Sequence, residues 1–426
     1  MNEGKKMKAY EIKGNPTIEG TINVQGSKNS ALAIIVAALF CKDVVILSNV
    51  PKIKDIYELL LILKKINVNV SFIDNNLIID SANITYKPLL MDEIKKFRAS
   101  YYFIGAFLSL FNKVEIYYPG GCNIGKRPID QHIKGLTNLD VSLLLTSDII
   151  KASVKEKVSG GVVSFDIPSV GATINILLAS VFASKKTIIK NAAREPEIVD
   201  LVNFLNKMGA NIVGEGTSVI IVNPTLNLKK VNYKIMSDRI VCGTYLIYGA
   251  LFAKKLTLKN IEVKDNYALI NELINLNVNM DIRRNEITIY GRNEFDKANI
   301  KTGVYPSFPS DLQQIMTVYL FNGIGVSLVE ETLFENRFAF LDEIKKMNGK
   351  FLVVEDKALI IPSKLNASTL TCKDLRGGAA LLLACLLANG TSILKNVEFI
   401  ERGYENIVEV LQKVNVDIKE IELHEA

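Results

Sequence analysis

The stretch Ser169-Val170-Gly171-Ala172-Thr173-Ile174-Asn175-Ile176-Leu177-Leu178-Ala179-Ser180-Val181-Phe182-Ala183 opens on a hydroxyl and continues as an apolar run without a charge. Serine in that place is a helix N-cap signal, because its oxygen accepts from the backbone N–H groups that a first turn leaves unpaired. The break Ser184-Lys185-Lys186 then leads into the β-rich TIIKNA, 187 to 192. A second helical pattern, Ile198 to Leu205, ends before Met208-Gly209-Ala210-Asn211-Ile212. The stretch therefore reads as a helix returning to a strand, with a second helix behind it.

Five other segments read the same way. They open at Ser27-Lys28-Asn29, Arg98-Ala99-Ser100, Ser237-Asp238-Arg239, Ser310-Asp311-Leu312 and Asp374-Leu375-Arg376, roughly 70 residues apart. Similar turns precede strands at VVILSNV, 44 to 50, and TSILKNV, 391 to 397. That period exceeds the roughly 20 to 50 residues of common solenoids, so six compact α/β units are expected, three to a domain. A helix N-terminus offers unpaired donors and partial positive charge, so convergence of several starts would attract phosphates and carboxylates.

Composition excludes several classes. At 426 residues and 49% hydrophobic, the chain is too long for one ordinary core. Its longest apolar stretch, Ala31 to Cys41, falls short of the roughly 18 residues of a membrane span, and no signal-peptide pattern opens it, which predicts a soluble, intracellular protein without membrane insertion. The net charge of +6 is weak for a nucleic-acid binder, and clusters such as Lys64-Lys65 and Lys345-Lys346 read as solvated faces. Cys41, Cys122, Cys242, Cys372 and Cys385 form no CxxC pair, so reduced thiols are expected rather than a disulfide framework or thiolate metal site. With His132 and His424 the only histidines, a metal centre or serine–histidine relay lacks parts, and no metal or cofactor is expected.

One loop concentrates chemistry. Tyr118-Pro119-Gly120-Gly121-Cys122-Asn123-Ile124-Gly125-Lys126-Arg127-Pro128-Ile129-Asp130 sets a thiol among glycines, two cations and a carboxylate. Neighbouring positive charge favours the thiolate. Gly120 to Lys126 also fits GxxxxGK, but Arg127 stands where a phosphate-cradling loop needs Ser or Thr for magnesium, and Pro128 blocks helix continuation.

The whole chain resembles the UDP-N-acetylglucosamine 1-carboxyvinyltransferase family of enolpyruvyl transferases. The resemblance rests on GSKNSALA (26 to 33), NVPKIKDI (49 to 56), FRAS (97 to 100), PGGCNIGKRPIDQHIKG (119 to 135), SVGATINI (169 to 176), NAAREPEIVD (191 to 200), FPSDLQ (308 to 313), ETLFENRF (331 to 338), DLRGGAALLLA (374 to 384) and RGYE (402 to 405). It implies a two-domain inside-out α/β barrel of six βαβ-type repeats. Domain 1 would be discontinuous, 1–27 with 236–426, domain 2 would be 28–235, and the active site would lie in the interdomain cleft. The implied reaction moves the enolpyruvyl group of phosphoenolpyruvate to the 3'-hydroxyl of UDP-N-acetylglucosamine, in the cytoplasm, as the first committed step of peptidoglycan precursor synthesis. It would serve cell-wall biogenesis, cell shape and cell division.

By motif match, Cys122 is the proton donor to carbon 3 and the site of a covalent adduct, including with fosfomycin. Asp311 is the carboxylate beside the sugar hydroxyl, as base or orienter, with an N-cap role on the fifth helix also open. Lys28, Arg127 and Arg402 match cations around phosphoenolpyruvate, with Arg337 and Arg376 nearby; arginine's planar fork suits phosphate and carboxylate. Asn29, Arg98, Arg127, Pro128, Ile129, Asp130, Gln131, Ser169, Val170, Asp311 and Leu333 match nucleotide-sugar positions. The catalytic set implied is Cys122, Asp311, Lys28 and Arg402. Ile167, Val241 and Glu401 depart from residues common in the family, a lysine, a glutamate and an aspartate respectively. Two alternatives share the fold: 5-enolpyruvylshikimate-3-phosphate synthase, which does not rely on the cysteine loop, and a non-catalytic paralogue.

Overall fold

Each of the six apolar runs folds as a helix, or as a 3-10 turn leading into one, in a computed structural model that describes residues 6–120, 129–291 and 294–424. The chain forms two compact units, divided at Gln25/Gly26 and Met236/Ser237. Each has its own hydrophobic core.

The unit spanning residues 26–236 contains helices α1 (Lys28–Ala37), α2 (Lys54–Lys65), α3 (Asp92–Lys96), α4 (Tyr102–Phe111), α5 (Asp130–Thr137), α6 (Val170–Ser180) and α7 (Pro196–Met208). Three of them, α1, α4 and α6, are apolar on nearly every side and correspondingly buried: Ser30 to Ala37, Phe103 to Leu108 and Ala172 to Ser180 are all inside. By contrast α2 buries Ile56, Leu59, Leu60, Ile62 and Leu63 and turns its lysines outward, the signature of a helix with one face to the core. Gly105 lets α4 reach the backbone of α6, since a Cβ there would lie 2.2 Å from the Asn175 carbonyl oxygen.

Three sheets flank these helices. Asn232–Lys234 runs parallel to Val44–Ser48, which continues antiparallel into Asn76–Asp80 and Asn69–Ile73. Gly161–Ser164 likewise runs parallel to Thr187–Lys190, followed by Val219–Asn223 and Asn211–Val213. The third sheet has three strands, Lys113–Tyr117, Ile149–Ser153 and Ser142–Leu145, with a single parallel bridge from Leu89 to Ile116 where the fourth would pair.

The other unit repeats this plan with α8 (Arg239–Phe252), α9 (Tyr267–Asn275), α10 (Ser310–Tyr319), α11 (Leu341–Lys345), α12 (Leu375–Leu387) and α13 (Ile407–Gln412). Here α8, α10 and α12 are the enclosed helices; every residue from Ile240 to Phe252 and from Leu375 to Leu386 is buried. Two of its sheets begin with a parallel pair, Ile18–Asn23 with Ala253–Lys259 and Asn299–Lys301 with Ser327–Glu330, and each continues into a hairpin. In the third, Thr369–Thr371 runs parallel to Thr391–Lys395, and the N-terminal strand Lys6–Lys13 fills the next place, between Thr391–Lys395 and Ile418–His424.

The crossings exchange partners between repeats. Ile18–Asn23, which precedes α1 in sequence, pairs with the strand after α8, while Asn232–Lys234, which precedes α8, pairs with the strand after α1. The ends of the 26–236 unit close on each other through Ser27 N–H donating to the Met236 carbonyl at 2.8 Å. In the other unit Asp238 N–H donates to the Gln25 carbonyl at 2.9 Å.

Candidate active site

Four of the six expected starts carry the cap their sequence suggests. Ser27 accepts from Ser30 N–H, Ser169 from Ala172 N–H, Asp238 from the Ile240 and Val241 N–H groups, and Asp374 from those of Arg376 and Gly377. Arg98 instead opens a 3-10 turn leading into α4, with Ser100 buried and donating to the Ile94 and Phe97 carbonyls. The fifth start corrects the N-cap alternative for Asp311. Pro309 occupies the cap position, and Asp311 is the second helical residue with its side chain directed at two arginines.

That carboxylate is the centre of the cluster in the unit bearing α10. Its Oδ1 accepts from Arg337 Nη2 at 2.7 Å and its Oδ2 from Arg376 Nη2 at 3.0 Å. The arginine side chains are 2% and 8% exposed, whereas Asp311 is 31% exposed, so the carboxylate is the open edge of a buried charged group. Burial opposes its ionisation, but the charges of Arg376 and Arg337 and their hydrogen bonds outweigh that, holding its carboxyl well below the usual range. Two cations against one anion leave net positive charge beside an oxygen that accepts hydrogen bonds.

Local structure fixes this geometry. Arg376 is the second residue of α12, oriented by the Asp374 cap. Arg337 follows a turn held by Glu331, whose Oε2 accepts from Ser310 Oγ at 2.8 Å and whose Oε1 accepts from the Leu333 and Phe334 N–H groups. Glu331 thus ties the 331–337 segment to the first turn of α10. The Arg337 guanidinium also lies over the Phe334 ring, 4.8 Å from its centroid, and Leu333 projects from the turn, 41% exposed. Arg402 ends the 3-10 turn Val397–Arg402 and is half-buried.

The other expected residues belong to the 26–236 unit. Lys28 opens α1 and forms a buried ion pair with Asp55, Nζ to Oδ2 at 2.7 Å; Asn29 follows it, half-buried. Ser30 Oγ donates to Asp200, which also accepts from the Tyr233 hydroxyl at 2.6 Å and Met236 N–H at 3.2 Å, anchoring the start of α1. Arg98 lies 5.4 Å from the Tyr101 ring centroid. Ile129 and Asp130 open α5; Gln131 donates to Asp130 and Asp166 and accepts from Asp166 N–H at 2.9 Å. Ser169 and Val170 start α6, half-buried. Cys122, Arg127 and Pro128 lie outside the described residues.

Among the departures, Ile167 is 62% exposed beside Asp166, which pairs with Lys134. Val241 is core, and Glu401 pairs with Lys8. The four described cysteines are free and buried, with burial pushing each thiol's pKa up, Cys385 to about 12. Among the described residues no cluster of His, Cys, Asp and Glu could hold a metal, and no helix is long and apolar enough to cross a membrane.

His132 is buried against the Tyr101 ring, 5.3 Å between ring centroids. Asn175 Oδ1 accepts from Gly105 N–H at 2.8 Å, so its amide nitrogen faces His132 Nδ1 at 3.0 Å and must donate to it. Burial first, and the charge of Arg98 second, push the imidazole pKa down to about 4. The unfolded chain titrates near 6.5, so below that pH it binds more protons than the folded one. This contribution to stability is complete above about pH 6.5 and disappears as pH falls toward 4, with a loss of about 2 kcal/mol between pH 7 and 5. His132→Gln should flatten that part of the profile in urea titrations at the two pH values. An undiminished slope in the variant would remove His132 as its source.

The EPSP synthase (3-phosphoshikimate 1-carboxyvinyltransferase) family model matches residues 12–411. UDP-N-acetylglucosamine 1-carboxyvinyltransferase 2 from Staphylococcus aureus is 41% identical over 408 residues, covering 96% of this chain and 97% of the relative. The chain belongs to the UDP-N-acetylglucosamine 1-carboxyvinyltransferase family. A protein of the same name from Listeria innocua is also 41% identical, over 96% of each chain. The wider EPSP synthase model places this carboxyvinyltransferase family in its superfamily. Solved structures agree on the fold: the enolpyruvyl transferase NikO from Streptomyces tendae has a TM-score of 0.88 at 20% identity, covering 98% of this chain and all of that one. EPSP synthase from Acinetobacter baumannii has a TM-score of 0.75 at 14% identity, over 97% of this chain and all of that one. The enolpyruvyl transferase fold expected from the motifs is the fold of this carboxyvinyltransferase family member.

Sequence reading missed Asp55, Glu331 and Asp166 as partners of the expected residues. Asp55 and Glu331 lay inside quoted motifs, NVPKIKDI and ETLFENRF, but the role of Glu331 depends on Ser310, 21 residues earlier, which no local pattern couples to it.

Proposed function

We propose that the protein transfers the enolpyruvyl group of phosphoenolpyruvate to the 3'-hydroxyl of UDP-N-acetylglucosamine with release of phosphate, in the cytoplasm, as the first committed step of peptidoglycan precursor synthesis. The observation that carries this reading is the Asp311 carboxylate, kept ionised by Arg337 and Arg376 and open on one edge. An ionised carboxylate accepts a hydrogen bond from a hydroxyl and raises the oxygen's nucleophilicity as its proton leaves.

In the reaction the sugar oxygen bonds to carbon 2 of the enol while carbon 3 gains a proton. The tetrahedral adduct then loses phosphate and one carbon 3 proton, regenerating the double bond. Cys122 delivers the proton to carbon 3 and can form a covalent adduct with the enol. Asp311 orients the hydroxyl and accepts its proton as charge builds on the sugar oxygen. Because both its oxygens already accept from arginines, it acts first as an orienter. Lys28, Arg127 and Arg402 bind the phosphate and carboxylate of phosphoenolpyruvate, with Arg337 and Arg376 nearby. Asn29, Arg98, Arg127 to Gln131, Ser169, Val170 and Leu333 recognise the nucleotide sugar.

The test is phosphate release with each substrate alone, with both, and with shikimate 3-phosphate in place of the sugar nucleotide. Release is expected only with phosphoenolpyruvate and UDP-N-acetylglucosamine together. Release with shikimate 3-phosphate would reassign the acceptor, and none under any condition would point to a non-catalytic paralogue.

A further inference from the structure

Glu331, the residue after the strand Ser327–Glu330, is 2% exposed, and both oxygens of its carboxylate accept hydrogen bonds. The backbone beside it is held without them. Glu331 N–H donates to the Asp356 carbonyl at 2.8 Å, Thr332 N–H donates to Thr302 Oγ1 at 2.9 Å, and the Thr332 hydroxyl donates to the Thr302 carbonyl at 2.9 Å. The strand end is thus secured by main-chain and threonine bonds, and the carboxylate serves two other parts of the unit.

The first is α10. Oε2 accepts from Ser310 Oγ at 2.8 Å, and Ser310 is the first residue of the helix, with Asp311 the second. Pro309 at the cap position makes no side-chain cap bond, so the bond to Glu331 takes over the task of fixing the helix start that carries Asp311. The second is the turn. Oε1 accepts from Leu333 N–H at 2.9 Å and from Phe334 N–H at 3.2 Å. Phe334 places its ring 4.8 Å from the Arg337 guanidinium carbon. Arg337 Nη2 donates to Asp311 Oδ1, while its buried Nε has no hydrogen-bond partner among the described residues, so the aromatic face supports the fork in place of a bond at Nε.

We propose that Glu331 is a positioning residue, which holds both members of the Arg337–Asp311 ion pair and the Leu333 turn in one arrangement, an inference that rests on the enolpyruvyl-transfer reading above. Placement of the acceptor sugar nucleotide at Leu333 and orientation of its hydroxyl at Asp311 then depend on the same buried carboxylate. Glu331 touches no reacting atom. Its two arms are separable, because cutting the bond to Ser310 loosens the start of α10 alone, whereas removing the carboxylate also releases the turn.

Steady-state phosphate release tests the two arms. Ser310→Ala removes the α10 arm and keeps both N–H bonds of the turn; kcat should fall about tenfold, the range of a lost hydrogen bond to a carboxylate, with KM for UDP-N-acetylglucosamine within about twofold of the parent. Glu331→Ala removes both arms and should lower kcat at least as far while raising that KM about fivefold. Glu331→Gln keeps both, since its amide oxygen accepts from the two N–H groups and its nitrogen donates to Ser310 Oγ, and should restore kcat to within about threefold of the parent. Activities are normalised to folded protein by circular dichroism. Parent-like kcat in Ser310→Ala, or a loss that only follows the unfolded fraction, would overturn the proposal, as would Glu331→Gln behaving like Glu331→Ala. A parent protein releasing no phosphate from phosphoenolpyruvate and UDP-N-acetylglucosamine would instead overturn the underlying reading, a failure visible before any variant is made.

Discussion

Asp311→Ala should lower turnover by about 10²- to 10⁴-fold, the span of a positioned acid–base group, and weaken the fold by about 3 kcal/mol. Both effects have one origin. Arg337 and Arg376 are almost wholly inside the protein, and each gives Nη2 to a separate Asp311 oxygen. Removing the carboxylate leaves two buried guanidinium groups without the anion that accepts a hydrogen bond from each. Water admitted along the open edge limits the damage, which keeps the expected cost at the low end for a broken buried ion pair. Asp311→Asn separates the two consequences: its carbonyl still serves one arginine, but its amide nitrogen turns a donor toward the other. Stability should recover in part while turnover stays low. Urea titration and phosphate release on the same preparations provide both readouts, and turnover within threefold of the parent in either variant would take Asp311 out of the reaction.

Cys122→Ala should cost turnover about 10²- to 10⁴-fold while leaving UDP-N-acetylglucosamine binding within a few-fold of the parent. The thiol is assigned to proton delivery on the enol, whereas sugar-nucleotide contacts are assigned elsewhere, so calorimetric affinity and kcat should part company. A thiol has a reference pKa of about 8.5, near enough to neutrality to give up and regain a proton within a cycle. The remaining four cysteines are buried with raised pKa values and make poor competitors for an electrophile. An epoxide such as fosfomycin should therefore add once to the parent and not to Cys122→Ala, as intact mass spectrometry would reveal. Adducts on the variant, or near-normal turnover, would move the chemistry to another residue.

The six helices were legible because their cause is local. A polar start such as Ser27, Ser169, Asp238 or Asp374, followed by a dozen apolar residues, states both where a helix begins and that it is enclosed. The fifth start misled because Ser310 and Asp311 are as suitable for capping as the others. Their side chains are claimed instead by Glu331, Arg337 and Arg376, 21, 26 and 65 residues away. Strand partners were hidden for the same reason. Nothing in Lys6–Lys13 announces that it completes a sheet with Thr391–Lys395 and Ile418–His424, because such pairings are settled by which edges remain open after the helices pack. The motifs named the residues of the cluster; its wiring was long-range and absent from them.

The joined ends of the 26–236 unit make it an insertion that its host scarcely registers. Ser27 and Met236 meet within one hydrogen bond, as do Gln25 and Asp238 on the other side of the junction. Loop-closure entropy grows only as the logarithm of length, about 0.6 kcal/mol for each doubling, and a guest that folds shut bears most of it internally. Splicing Gln25 directly to Ser237 would give a continuous three-repeat chain, and ligating Met236 to Gly26 would give a closed ring of three. The molecule is thus topologically two three-repeat chains, one interrupting the other between Gln25 and Ser237.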